Sequence, residues 1–246
     1  MIRRARVPVL RTKDTIDTMT ASVFNLAAPP NFRGLHPDLP VTVYQRHLPH
    51  WRQAGATYFV TFRLADALPQ DKLLFLKRLR AEWERTHPPP RSEEDWEDYA
   101  RQFTKRAERW LDEGYGECYF QERRWADDLR DRLQHFQSER YLLSCWTIMP
   151  NHCHLVIKPF DDQSLEDLVG AMKGVTARHV NAALGLSGAL WEEESYDRIV
   201  RDEEHLWQIV QYIGRNPRLV GPENEIEWRR WIHPDWESAG WRFQED

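Results

Sequence analysis

The stretch from residue 141 to 158 places the tightest limit on how this chain can fold. Two runs rich in leucine, β-branched and aromatic residues, 141–148 and 152–158, are separated only by Met149-Pro150-Asn151. Pro presets one turn dihedral and Asn tolerates the unusual one, so the trio reads as a sharp reversal and the runs as an antiparallel hairpin. Such a pair must bury at least one face against other elements, and the flanking sequence offers several. Ala56-Thr57-Tyr58-Phe59-Val60-Thr61-Phe62-Arg63-Leu64 has strand composition. Residues 68–85 carry Leu73, Leu74, Phe75, Leu76 and Leu79 near helical spacing and stop at His87-Pro88-Pro89-Pro90. Residues 122–139 form an amphipathic helix with Trp125, Leu129, Leu133 and Phe136 as its stripe. Residues 164–184 form another helix, opened by Ser164 as cap. Ile199-Val200 is a short strand, and Asp202 caps a last core helix that runs to about Asn216 before Pro217. Strand, helix, hairpin, helix, strand, helix is the order of an α+β fold: an antiparallel sheet with helices packed on it, in a split βαβ, ferredoxin-like arrangement.

Around this frame lie three additions. Residues 1–40 contain five prolines and little periodicity, and read as an irregular arm with a basic start (Arg3, Arg4, Arg6, Arg11, Lys13), either solvated or strand-contacting. The main domain is expected over 41–221, with a helical insertion at about 88–116. Within it, residues 92–113 begin Ser-Glu-Glu-Asp and bear Trp96, Tyr99, Phe103 and Trp110 at helical intervals; Gly114 and Gly116 close them. This helix is expected to be an accessory outside the catalytic frame. Residues 222–246 form a tail whose Trp228, Trp231, Trp236 and Trp241 are expected to pack partly back.

Composition excludes some classes. No run of about 18 apolar residues exists, so no membrane span is expected. The basic start lacks the apolar stretch of a secretory signal. The three cysteines (Cys118, Cys145, Cys153) form no CxxC pair, which argues against a disulfide scaffold or structural zinc and fits the cytoplasm. A net charge of −5 argues against a surface that grips nucleic acid everywhere, though not against a local basic groove.

Chemistry concentrates in Met149-Pro150-Asn151-His152-Cys153-His154-Leu155-Val156-Ile157. Side chains alternate on a strand, so His152 and His154 share one face while Cys153, Leu155 and Ile157 share the other. Two neutral imidazoles on a rigid strand suit one metal ion; they equally suit a half-exposed strand face. On the last helix, Leu206, Ile209, Val210 and Ile213 form the buried stripe, and His205, Tyr212 and Asn216 fall along one edge of it. Tyr212 and Asn216 are neighbours one turn apart. Alone, Tyr212 also fits a residue bordering the core with its hydroxyl in water, and Asn216 before Pro217 an ordinary helix ending.

Together, the segments MPNHCHLVI, MKGVTARHVN, LW…YDRIVRDEEHL and QYIGRNP resemble the HUH single-tyrosine transposases, in particular the REP-associated tyrosine transposases. The resemblance spans roughly residues 44–221. It implies that His152 and His154 are the metal-binding pair, that Tyr212 is the nucleophile and that Asn216 is the third, helix-borne ligand. It further implies a divalent ion, magnesium or manganese, where imidazole and amide donors alone favour zinc or another later transition metal. The implied substrate is single-stranded, hairpin-forming DNA, cut through a 5′-phosphotyrosine intermediate; relatives of this kind can form homodimers that exchange the tyrosine helix. Cys153 stands where a bulky hydrophobe is usual, and the third ligand is an amide rather than a carboxylate. Lys173, Arg178, Arg198, Arg201, Arg215 and Arg218 cluster around the motif-bearing elements and suit backbone phosphates, or else ordinary solvated charge. Two other functions stay open: a non-catalytic nucleic-acid hairpin-binding module, and a metal-dependent hydrolase of small substrates.

Overall fold

The computed structural model describes residues 24–45, 49–88, 91, 93–220 and 225–244. The basic start of the chain and Ser92 lie outside them. In chain order the elements are β1 (Thr42–Gln45), β2 (Pro49–Arg52), β3 (Tyr58–Arg63), α1 (Gln70–Thr86), α2 (Glu93–Tyr99), α3 (Lys105–Leu111), α4 (Arg123–Gln134), β4 (Tyr141–Ile148), β5 (His152–Pro159), α5 (Leu165–Leu184), β6 (Tyr196–Ile199), α6 (Glu203–Arg215), α7 (Ile226–Arg229), β7 (Arg230–Ile232) and α8 (Pro234–Ser238).

A five-stranded antiparallel sheet in the order β6-β3-β5-β4-β7 forms the centre. Its first four strands, with helices inserted after β3 and β5, make the expected split βαβ topology. Alternation along each strand divides the core into two layers. Val60, Phe62, Leu155 and Ile157 meet Leu129 and Leu133 of α4 and Leu168 and Met172 of α5. Phe59, Cys145 and Val156, on the opposite face, meet Leu206, Ile209, Val210 and Ile213 of α6. Helix α5 starts where expected, the Ser164 hydroxyl accepting from the Asp167 amide at 3.3 Å. In α6 the Asp202 carboxylate accepts from the His205 amide at 2.7 Å. Both caps satisfy an amide that helix geometry leaves without a partner. No helix among the described residues is long and apolar enough to cross a membrane.

Three elements depart from the periodicity reading. The strand expected at Ile199-Val200 is longer and earlier, running from Tyr196 to Ile199. Helix α1 leaves Leu74 and Phe75 exposed, so only part of its leucine pattern is core. Residues 92–113 do not form one helix: a π-helical stretch, Ala100–Thr104, separates α2 from α3. A π turn takes an extra residue and rotates the helix beyond it. Here Tyr99 and Phe103 pack on Trp83 of α1, while the end of α3 turns to the sheet's α6 face.

Both chain extensions are packed where they are described. Residues 24–40 lack regular structure, yet Phe24, Leu26 and Phe32 pack on the α6 layer. The indoles of Trp236 and Trp241 donate to the carbonyls of Pro30 (3.1 Å) and Ala27 (2.8 Å). The tail adds β7 to the edge of β4 and then crosses α6. There Gln211 donates to the Arg242 carbonyl at 3.0 Å and accepts from the Gln244 amide at 2.8 Å. A Cβ at Gly214 would stand 2.6 Å from the Phe243 ring, so only glycine permits this crossing.

Sheet edge, α5 and the β1–β2 hairpin are joined by a buried ionic cluster. Arg52 pairs with Glu166 and Asp197, and His50 with Asp197 (2.5 Å) and Glu194 (3.0 Å). Burial opposes charging of His50, but Asp197 and Glu194 outweigh it and hold its pKa above the ordinary 6.5. A raised folded pKa means stabilisation fully present below 6.5 and lost as pH rises through the folded value. We therefore expect the melting temperature to fall with rising pH over that window, and His50→Gln to flatten the slope. Parallel slopes for the two proteins in a pH-melting series would refute this.

Candidate active site

The histidine pair occupies the sheet face beneath α6. His152 and His154 alternate with Cys153, which points into the opposite layer, and their rings stand edge to face with centroids 4.7 Å apart. Each imidazole is oriented by a neighbour. His154 Nδ1 lies 2.7 Å from the hydroxyl of Thr61, its cross-strand partner. His152 Nδ1 lies 2.7 Å from Asn151 Oδ1. The Asn151 amide nitrogen donates to the carbonyls of Leu111 and Tyr115, at 3.4 and 2.9 Å, so its oxygen is the atom turned to His152. A carboxamide oxygen only accepts; His152 therefore carries its proton on Nδ1 and presents a bare lone pair at Nε2.

Tyr212 approaches from α6. Its hydroxyl lies 3.2 Å from His154 Nε2, and its ring packs edge-on against Phe59. His154 stacks flat on Phe59. Both imidazoles are completely buried, and burial holds them neutral: His152 is lowered to about 3 and His154 lies well below its usual range, with His152 and Arg198 adding to the shift. Neutral imidazoles with a free ring nitrogen are the form in which histidine ligates a metal. Burial likewise pushes the Tyr212 phenol well above its usual value. Glu108 and Asp112 push the same way, against an opposing pull from the Asn216 amide and Arg198.

Asn216 follows α6 and is 1% exposed. Its amide nitrogen donates to the Tyr212 carbonyl at 2.9 Å, and its Oδ1 is buried without a hydrogen-bond partner. His152 Nε2, Asp112 Oδ1 and Glu108 Oε1 are also buried and unpartnered. Burying bare polar atoms costs about 1–3 kcal/mol each, so several at one site mark a place built for a further group. Among the described residues no three His, Cys, Asp or Glu side chains form a ready-made cluster for a metal ion.

The basic residues separate. Arg198 of β6 lies with its guanidinium over Phe59, 5.0 Å from the ring centre and beside the histidines. Arg201 and Arg215 are exposed at the two ends of α6, and Arg218 is half-buried just beyond it. Arg178 is exposed on α5, across the sheet from the histidines. Lys173 does not belong with the phosphate contacts. It is buried, and its ammonium donates to the carbonyls of Glu192 (2.7 Å) and Glu193 (2.9 Å). The reason is helical phase: Lys173 sits on the covered side of α5, under the loop leading to β6. His205 serves the start of α6, its Nδ1 accepting from the Arg201 amide at 3.1 Å.

Four residues at the site escape a reading of the sequence. Asn151 adjoins His152 but is accounted for by its turn, and Thr61 meets His154 only once β3 pairs with β5. Glu108 and Asp112 lie on the helix taken as an accessory. That expectation fails, because the end of α3 lines the site. Asp112 Oδ1 stands 3.9 Å from His152 Nε2, and Glu108 lies one turn earlier.

Comparison with known proteins bears on the same segment. Residues 115–216, which include both histidines, Tyr212 and Asn216, match the family model described as "Transposase IS200 like". No curated protein matches the chain. Among solved structures, one similar chain is a REP-associated tyrosine transposase bound to a REP hairpin, at 16% identity and TM-score 0.34, covering 71% of this chain and 72% of that one. Another is a candidate transposase from Deinococcus radiodurans R1, at 17% identity and TM-score 0.31, covering 68% and 92%. The segment that builds the histidine–tyrosine site is thus similar to the IS200-like transposase family, in a match that spans less than half of the chain.

Proposed function

We propose that this protein is a metal-dependent, single-stranded DNA strand transferase that cuts with Tyr212 and holds the 5′ end as a phosphotyrosine. The observation that carries the reading is the Tyr212 hydroxyl, aimed from α6 at His154 Nε2 across 3.2 Å. A tyrosine merely bordering the core would keep its hydroxyl in water; this one lies over paired, neutral imidazoles.

His152 Nε2, His154 Nε2 and Asn216 Oδ1 are the atoms that would hold a divalent cation, magnesium or manganese. Bound there, it would supply Lewis-acid polarisation of a phosphoryl oxygen. His154 Nε2 has one lone pair, so ligation and the Tyr212 hydrogen bond exclude each other, and the phenol is free to turn to substrate when that bond opens. Tyr212 Oη then forms a bond to phosphorus as the bond to the 3′ oxygen breaks. The phenolic proton is released, and the leaving oxygen takes up a proton to become a 3′-hydroxyl. One phosphodiester replaces another, so an incoming 3′-hydroxyl can reverse the step without ATP. Positioning and charge neutralisation carry such a transfer. Arg198 beside the site, with Arg201, Arg215 and Arg218 around α6, suits the phosphates on either side. Because both imidazoles are completely covered, an entering strand must part Tyr212 from the end of α3.

The substrate class is a single strand with a hairpin. A 3′-labelled oligonucleotide of this kind, incubated with protein and Mn²⁺, is expected to yield labelled protein that survives SDS and is lost with chelator. Tight binding of the hairpin with no covalent product in Mg²⁺ or Mn²⁺ would refute the transferase and leave a binding module.

A further inference from the structure

We propose that Asp112 is a fourth protein ligand of the cation site, brought there by α3, with Glu108 as a second carboxylate behind it. The inference rests on the metal-dependent reading above, to which it adds a residue and a donor type.

Asn151 fixes the placement. One amide performs two tasks: its oxygen orients His152, and its nitrogen holds the carbonyls of Leu111 and Tyr115, on either side of Asp112. The residue that aims the imidazole thus also docks the segment bearing the carboxylate. The Asp112 amide donates to the Glu108 carbonyl at 3.1 Å, so the last turn of α3 continues through Asp112 and both carboxylates share a face. Asp112 Oδ1 then lies 3.9 Å from His152 Nε2. That is too long for a hydrogen bond. It also exceeds the roughly 3.0–3.4 Å between neighbouring ligands that each sit about 2.1 Å from one ion, so the carboxylate would move in by about half an ångström or more on binding. His152, completely buried, has no other partner for that nitrogen, and Asp112 Oδ1 has none either.

Charge balance points the same way. His152, His154 and Asn216 are neutral donors, so they leave a divalent ion in a buried site with its charge uncompensated. Isolated buried charge is costly. Asp112 supplies one negative charge and Glu108 another close by. Donor chemistry agrees: a carboxylate and an amide oxygen beside two imidazoles give a mixed set, more favourable to manganese or magnesium than imidazoles alone.

The test is Mn²⁺ binding by calorimetry to the full-length, chelator-stripped protein without DNA, for the native chain, Asp112→Asn and Asp112→Glu. Asp112→Asn keeps shape and removes charge, and should weaken Mn²⁺ binding by more than about tenfold. Asp112→Glu keeps charge and should fall between the two. Zn²⁺ binding, carried mainly by the imidazoles, should weaken less than Mn²⁺ binding. Unchanged Mn²⁺ affinity in Asp112→Asn would overturn the assignment. If Asp112→Asn fails to fold, Asp112→Glu decides, and native affinity in that variant overturns it. A native protein that forms the DNA adduct while Asp112→Asn binds Mn²⁺ normally refutes this ligand alone. Mn²⁺ binding that depends on Asp112, in a protein that never forms the adduct, refutes only the transferase.

Discussion

Under the proposed reading, Tyr212→Phe is expected to abolish the covalent DNA adduct, a loss on the order of 10⁴-fold or more in strand cleavage, while leaving cation binding in place. The hydroxyl of Thr61, beside the site, is committed to His154 Nδ1 at 2.7 Å and does not substitute for the phenol. Removing a nucleophile deletes the reaction path rather than weakening it, and a loss of this size is the result. The fold should tolerate the change, because the ring keeps its edge contact with Phe59 and only the hydrogen bond to His154 disappears. A single such bond contributes about 1 kcal/mol. His154 Nε2 is left without its partner, so Mn²⁺ affinity should be equal or higher in this variant. His154→Ala provides the contrast, losing adduct and cation binding together. The discriminating measurement is a paired assay of SDS-resistant labelled protein and Mn²⁺ calorimetry. Adduct formation by Tyr212→Phe would remove Tyr212 as nucleophile.

Arg229→Met should cost roughly 3–5 kcal/mol of stability, the largest effect expected outside the site. The guanidinium is completely buried and donates to the carbonyls of Phe120 (3.1 Å), Ile148 (3.3 Å) and Gln121 (3.4 Å). It also pairs with Glu225 at 2.9 Å and lies over Trp228. Methionine fills much of the volume but donates nothing, so several buried carbonyls and a carboxylate lose their partner at once. For a chain of this length a cost of that size lowers Tm by roughly 10 °C. The consequence reaches the site, because Ile148 ends the strand that turns through Asn151 to His152 and because the same tail crosses α6 at Gly214. Thermal melts measure the first effect. A shift under about 2 °C would mean the tail is held by its tryptophans alone.

How far amino-acid order alone carries is clearest from the hairpin and from α6. The turn at Pro150-Asn151, strand alternation and the Leu206–Ile213 stripe are local patterns of period 2 and 3.6, imposed by covalent geometry. They place His152 and His154 on one face, and Tyr212 with Asn216 on one helix edge, before any tertiary contact is known. The ferredoxin-like order comes from the same patterns. What they leave undetermined is which surfaces meet. That α6 covers the histidine face rather than its reverse depends on the pairing of β6 with β3 and on the tail crossing at Gly214, contacts between residues far apart in sequence. Strand β7 has only three residues, too few to show alternation, and exists because the edge of β4 receives it. Lys173 reads as surface charge until a distant loop lays its carbonyls over it. Asp112 and Glu108 belong to a helix whose composition marks it as peripheral; a π turn and the Asn151 amide carry it to the site. Periodicity is written residue by residue, whereas the meeting of two buried polar atoms depends on the whole packed structure, and no local pattern encodes it.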